Sequence, residues 1–106
     1  MKTIEQTLRG RRSRKNTPWG YADDEEVIAP GITSYGTPSH GGIHLSPSRY
    51  RQLPPELRRF KTFAGGRWYE EDCDWSIVAI SFPQFFSDEM VSHAQEIFDK
   101  HIKPKL

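Results

Sequence analysis

The stretch Thr37-Pro38-Ser39-His40-Gly41-Gly42-Ile43-His44-Leu45-Ser46 sets two histidines around a glycine pair, with hydroxyls on both sides. Histidine titrates near neutral pH, so His40 and His44 are candidates for proton transfer or for hydrogen bonding to a ligand. Consecutive glycines let a ligand approach the main chain, and free amides in such a turn form an anion-binding nest. Further along, Glu70-Glu71-Asp72-Cys73-Asp74 crowds four carboxylates into five positions. Crowded, partly buried carboxylates raise one another's pKa, which suits a general acid or base, or a hard-metal site. Trp68, Tyr69 and Trp75 flank the acids and hold the segment against a folded body. If the two segments converge, His40, Gly41, Gly42, His44, Glu71, Asp72 and Asp74 form a pocket that binds or cleaves a small phosphorylated or nucleotide ligand.

Both motifs also have a purely architectural reading. Gly41-Gly42 would supply the positive φ angles of a hairpin turn, and the stretch matches neither a Walker loop nor a dinucleotide fingerprint. The acids would open a helix whose dipole favours them, with Asp72 or Asp74 as N-cap. Cys73 lies between two aspartates, which disfavours a thiolate nucleophile and predicts an inert thiol. One cysteine and four scattered histidines lack the paired spacing of a zinc site. No catalytic residue, metal or cofactor is therefore assigned.

Charge comes in blocks that nearly cancel, for a formal net charge of +1. Residues 1–18 are basic, Asp23-Asp24-Glu25-Glu26 is acidic, 49–67 is basic again, and 70–74 is acidic. Arg49, Arg51, Arg58, Arg59, Lys61 and Arg67 are interleaved with Tyr50, Phe60 and Phe63, a pattern compatible with single-stranded nucleic acid. Arginine outnumbers lysine there, favouring planar recognition of carboxylate or phosphate. One partner for the group is internal, the acidic segment at 70–74. Net near-neutrality argues against a dedicated nucleic-acid binder, which more commonly carries a basic excess over the whole domain.

The elements that must position these groups follow from periodicity and turn chemistry. Val27-Ile28-Ala29, Ile32–Tyr35 and Ile43-His44-Leu45 read as strands of a small antiparallel meander, the first two joined by Pro30-Gly31. Alternation puts Ile43 and Leu45 on one face and His44 on the other. Ser46-Pro47 and Pro54-Pro55 each open a short helix. Residues 75–82 fit both periods, with a lean to helix. Ser87 caps a C-terminal amphipathic helix whose apolar stripe is Met90, Val91, Ala94, Ile97, Phe98 and Ile102. The predicted fold is α+β: a small antiparallel β-sheet with short helices and a C-terminal amphipathic helix.

A chain of 106 residues has room for one domain. Hydrophobic content of 35% and mean hydropathy of −0.74 are low, and three Trp, four Tyr and six Phe supply the core instead. Residues 1–16 read as a basic N-terminal arm and 17–106 as a single domain. The lone cysteine excludes an internal disulfide and fits a reducing compartment. With neither an apolar leader nor a membrane-length run, the expectation is a soluble cytoplasmic protein with no membrane partner.

The pair "APGITSYGTPSHGGIHLSP" and "GRWYEEDCDWSIVAISFP" resembles a small domain family of unknown function scattered through phages, plasmids and proteobacteria. The signatures are TPSHGGIHLSP and WYEEDCDW, and the resemblance spans about residues 18–100. It implies no activity, cofactor or catalytic residue. It does imply a mobile-element accessory factor, a group that includes inhibitors of host immune systems of the anti-CRISPR kind. The expected function is a non-enzymatic binding protein that occludes a host bacterial protein in the host cytoplasm. Arg49, Arg51, Arg58, Arg59 and Arg67 form the expected interface, with Asp23, Asp24, Glu25 and Glu26 as a second patch. The alternatives are the small-ligand pocket above, and nucleic-acid binding through the basic arm and the arginine–aromatic group.

Overall fold

A computed structural model describes residues 11–12 and 15–106. Five strands form one antiparallel sheet: β1 (Arg11–Arg12), β4 (Asp24–Ala29), β5 (Ile32–Gly36), β6 (Gly41–Leu45) and β7 (Trp68–Glu70), in that spatial order. A second pair, β2 (Asn16–Thr17) and β3 (Gly20–Tyr21), makes a separate hairpin. Among the described residues four α-helices follow: α1 (Pro47–Arg51), α2 (Pro55–Arg59), α3 (Trp75–Ser81) and α4 (Asp88–Ile97). α4 continues through a π turn at Phe98–Ile102 and a 3-10 turn at Lys103–Lys105. The fold is α+β, as the sequence predicts. Of the basic arm, residues 1–10 and 13–14 lie outside the described residues, whereas Arg11–Arg12 pairs with β4 and Asn16 opens β2.

Pro30-Gly31 is the Pro-Gly signature of a type II turn, with Gly31 at φ +83°. A Cβ there would lie 2.5 Å from Ser46 Oγ, so glycine is required twice over. The β5–β6 connection is built differently from the expected glycine turn. Thr37 and His40 close it: Thr37 N donates to His40 O at 2.7 Å, Thr37 Oγ1 donates to the same oxygen at 2.6 Å, and His40 N donates to Thr37 Oγ1 at 3.0 Å. Gly41 and Gly42 lie beyond that turn, inside β6, and neither has a positive φ. Close packing demands them instead. A Cβ on Gly42 would stand 2.5 Å from both Trp19 Cη2 and Tyr69 O, and 3.0 Å from Glu70 Cα.

The core lies between one face of the sheet and the helices. Ile32, Ile43, Leu45 and Tyr69 from the strands meet Ile77, Val78, Phe82, Phe98 and Ile102. Ser46 caps α1 and Ser87 caps α4, accepting from Arg49 N at 3.2 Å and Met90 N at 3.1 Å. Ala94, Phe98 and Ile102 bury the apolar stripe, while Met90 departs from it and stays 45% exposed. The ambiguous segment 75–82 resolves as helix, but the expected Asp72 or Asp74 cap does not form. Glu70, at the end of β7, instead holds the turn that leads into the helix: its carboxylate accepts from Asp72 N at 2.7 Å, Cys73 N at 2.7 Å and Asp74 N at 3.0 Å. Sequence periodicity gives no sign of β7, because three residues are too few to alternate.

Two substitutions test this construction. Gly42→Ala forces a methyl group between a tryptophan ring and a strand backbone, and should cost about 1–3 kcal/mol in urea unfolding. A stability within a few tenths of wild type would show that β6 and β7 do not approach as described. Glu70→Ala leaves three amides without their acceptor and should cost about 1–2 kcal/mol, with Glu70→Gln losing clearly less.

Candidate functional site

Side-chain size falls along the inner face of the sheet. Toward α1 this face carries Ile32 and Leu45; toward the Thr37–His40 turn it carries Ser34 and the cross-strand pair Gly36 and Gly41. Helical side chains fill the space only over the large residues. Over the small ones a groove of about 870 Å³ opens, walled by Trp75 of α3 and by Glu89, Met90 and His93 of α4. Asp24 and Glu71 lie across its floor. A Cβ on Gly36 would meet Asp24 Oδ2 at 3.3 Å, and one on Gly41 would meet Tyr35 O at 2.7 Å and Glu71 Oε2 at 3.2 Å. The glycines thus leave room for two carboxylates to rest on the sheet.

The two sequence motifs do meet. β6 and β7 pair through Gly42 with Glu70, Ile43 with Tyr69 and His44 with Trp68. Glu71 N donates to Gly41 O at 2.9 Å, and His40 Nδ1 stands 4.0 Å from Glu71 Oε1 at the groove rim. Both side chains are more than half exposed, at 59% and 54%. Such a pair in water contributes little to stability, and its groups stay available to a partner.

The seven residues of the expected ligand pocket nevertheless do not share one site. His40, Gly41, Gly42 and Glu71 line the groove. Asp72 and Asp74 line a separate hollow of about 510 Å³ beside Trp19, Phe60, Phe63, Lys61 and Lys105, which touches the groove only through His40. Asp74 is spent on architecture: it is 5% exposed, and its Oδ2 accepts from Phe63 N at 2.8 Å. Burial raises its pKa against that hydrogen bond, with help from Glu70. His44 points away from both hollows. It packs on Trp68 with ring centroids 4.4 Å apart, in an outer-face cluster completed by Trp19 and Tyr35. His40 belongs to the turn before β6, whereas alternation along Gly41–Leu45 turns His44 to the face opposite Gly41, Ile43 and Leu45.

Cys73 lies outside the groove, and burial, then Glu70, Asp74 and Asp72, push its thiol up. A protonated thiol is a poor nucleophile.

Among the expected interface arginines, Arg49 is internal in role. Its Nε donates to Pro30 O at 2.8 Å, and its guanidinium lies over Phe82 and Phe85 at 5.4 and 5.1 Å. Arg67 Nε donates to Leu45 O at 2.9 Å, tying the loop before β7 to β6. Arg51 and Arg59 are exposed and Arg58 is half-buried. Among the described residues no ion pair joins these arginines to the 70–74 segment, although Lys61 of the same basic group lines the hollow that holds Asp72 and Asp74. In the acidic patch, Asp23 and Glu26 are exposed, Asp24 belongs to the groove, and Glu25 pairs with Tyr35 across the sheet. Glu89, Met90, His93 and Trp75 are groove residues that sequence reasoning missed. The available signal was Met90, the polar-side end of an apolar stripe with nothing opposite it.

His44 supplies a pH test of the outer-face cluster. Burial, then Arg67 and Lys15, hold its pKa below the ordinary 6.5. The unfolded chain therefore binds this proton more readily than the folded one. The stabilising effect of a neutral His44 is present above pH 6.5 and is lost as pH falls through the lowered folded value. Wild-type unfolding free energy should drop from about pH 7.5 to about pH 5 more steeply than that of His44→Phe. Parallel profiles would show that His44 is solvated in the fold.

Among the described residues no helix is long and apolar enough to cross a membrane, and no cluster of three His, Cys, Asp or Glu side chains is arranged to hold a metal ion. No curated protein and no solved structure matches the chain. A domain of unknown function, DUF7007, matches residues 12–105, and the chain belongs to that family.

Proposed function

We propose that this domain is a non-enzymatic binding protein that captures a protein partner in the groove between the glycine end of the sheet and α4. The observation that carries the reading is the character of the groove. His40 stands exposed at its rim, an exposed Met90 and half-buried Trp75 line its wall, and the Gly36–Gly41 pair leaves part of its floor without side chains. An open trough with an aromatic and a thioether on one side offers contact area, as recognition surfaces do. A phosphorylated ligand is disfavoured here, because it would meet Glu71 and Glu89 with no lysine or arginine among the described lining residues. In the fuller form of the proposal the partner is a host defence protein, and the domain is a phage or plasmid accessory factor that occludes it. That part is supported by the resemblance and by no residue.

One observation favours a second reading. The outer face of the sheet groups Trp19, Tyr35, His44 and Trp68, with Lys15 and Arg67 near enough to depress His44. Aromatics flanked by cations are the platform on which unpaired bases stack.

One set of measurements separates the two. Immobilised wild type should retain a stoichiometric partner from bacterial lysate, and Met90→Arg, folded by circular dichroism, should lose it. A partner retained equally by both would place recognition elsewhere and overturn the groove reading. Binding of a single-stranded oligonucleotide, weakening steeply with salt and indifferent to Met90→Arg, would move the function to the outer face.

A further inference from the structure

We propose that the groove receives the guanidinium or ammonium side chain of an extended, basic segment of its partner. This rests on the reading of the groove as the binding face and adds the chemistry of the occupant. Two elements remote in sequence each bring a carboxylate to it: Glu71 from the turn after β7, and Glu89 from the first turn of α4. Neither lysine nor arginine is among the described residues that line the groove, and the two glutamates there are complementary to a cation.

Shape and apolar lining point the same way. The Gly36–Gly41 pair removes side chains from a strip of sheet, and a groove of about 870 Å³ lies above it. That space fits a few residues of extended chain but no folded element. Met90 and Ile43 offer an apolar wall for the aliphatic stem of arginine or lysine. Trp75, whose ring centroid lies 5.9 Å from that of His93, adds an aromatic wall, and the carboxylate of Glu71, 54% exposed, offers oxygens for the N–H groups of a guanidinium. Arginine satisfies all of these at once, because its charge is planar, stackable and bidentate.

The probe is a capped hexapeptide alternating glycine and arginine, titrated into the full-length protein while amide and indole NMR signals are followed. Saturable shifts should centre on Gly41, Glu71 and the Trp75 indole. Glu71→Gln should weaken binding about tenfold, equivalent to about 1.4 kcal/mol. Glu89→Gln should weaken it as well, and each variant's own spectrum reports whether its fold is intact. Replacing arginine by citrulline, which has the same shape without the charge, should abolish the shifts. Equal binding of the citrulline peptide, or indifference to both glutamine variants, would overturn the proposal. So would the absence of any saturable shift with the arginine peptide. If the peptide fails while Met90-dependent capture of a partner persists, only the cationic chemistry falls. If that capture fails too, the groove reading falls with it.

Discussion

Gly42 has no space for a side chain, because the Trp19 ring on one side and the Tyr69 carbonyl on the other occupy it. That contact fixes how closely β7 lies against β6, and much of the domain follows from it. Once β7 is seated, Glu70 is delivered to the turn before α3, where its carboxylate gathers three amides. Asp74, four residues on, reaches back to Phe63 N and pins the loop that leads into β7. Each carboxylate satisfies backbone donors that would otherwise be stranded at a helix start or in a half-buried loop. A single strand pairing therefore organises the loop before it and the helix after it.

The same pairing creates the groove. Large apolar residues on the inner face give way to serine and glycine within two strands, while the helices above continue as a fairly even layer. Space must open where the sheet side chains run out. Filling it with larger residues would be the simpler route to stability, since buried apolar area is the main favourable term in folding. The chain instead places the carboxylates of Asp24 and Glu71 over two glycines. Residues that a core does not need, arranged around space that a core would fill, mark a site kept for something other than folding.

Legibility in the sequence followed the range of the interactions involved. α1, α4, their serine caps and the Pro30-Gly31 turn are set by neighbours within a few residues, so local chemistry was enough to read them. β7 escaped because its evidence is a pairing with residues remote in sequence. Glycines 41 and 42 were read as a turn because consecutive glycines usually signal positive φ; the structure uses them for close approach, which sequence cannot distinguish. Asp72 and Asp74 were reasonable caps by position, yet Glu70 has the longer side chain and starts from an extended strand, so it alone curls over all three amides. Half of the candidate site, His40 with Glu71, was visible as a question of whether two motifs touch. The other half, Glu89, Met90 and His93, was hidden because an amphipathic stripe shows which face is apolar but not where its cover ends.

The blocks of charge acquire a different meaning once they are placed. Within the acidic run, Glu70 and Asp74 turn inward to hold backbone, whereas Glu71 and Asp72 stay exposed. The basic run divides in the same way: Arg49 and Arg67 donate to main-chain carbonyls, while Arg51 and Arg59 remain in solvent. Each run mixes fold-building and surface residues, so its composition overstates the charge left for a partner. Among the described residues the remainder is asymmetric in space, with Glu71 and Glu89 at the groove and Arg51 and Arg59 on α1 and α2, although the formal net charge is only +1. An asymmetric field orients an approaching partner before contact, whereas net charge alone only attracts or repels. Binding through the groove therefore needs no large overall charge, only that the acidic face be the one with a cavity in it.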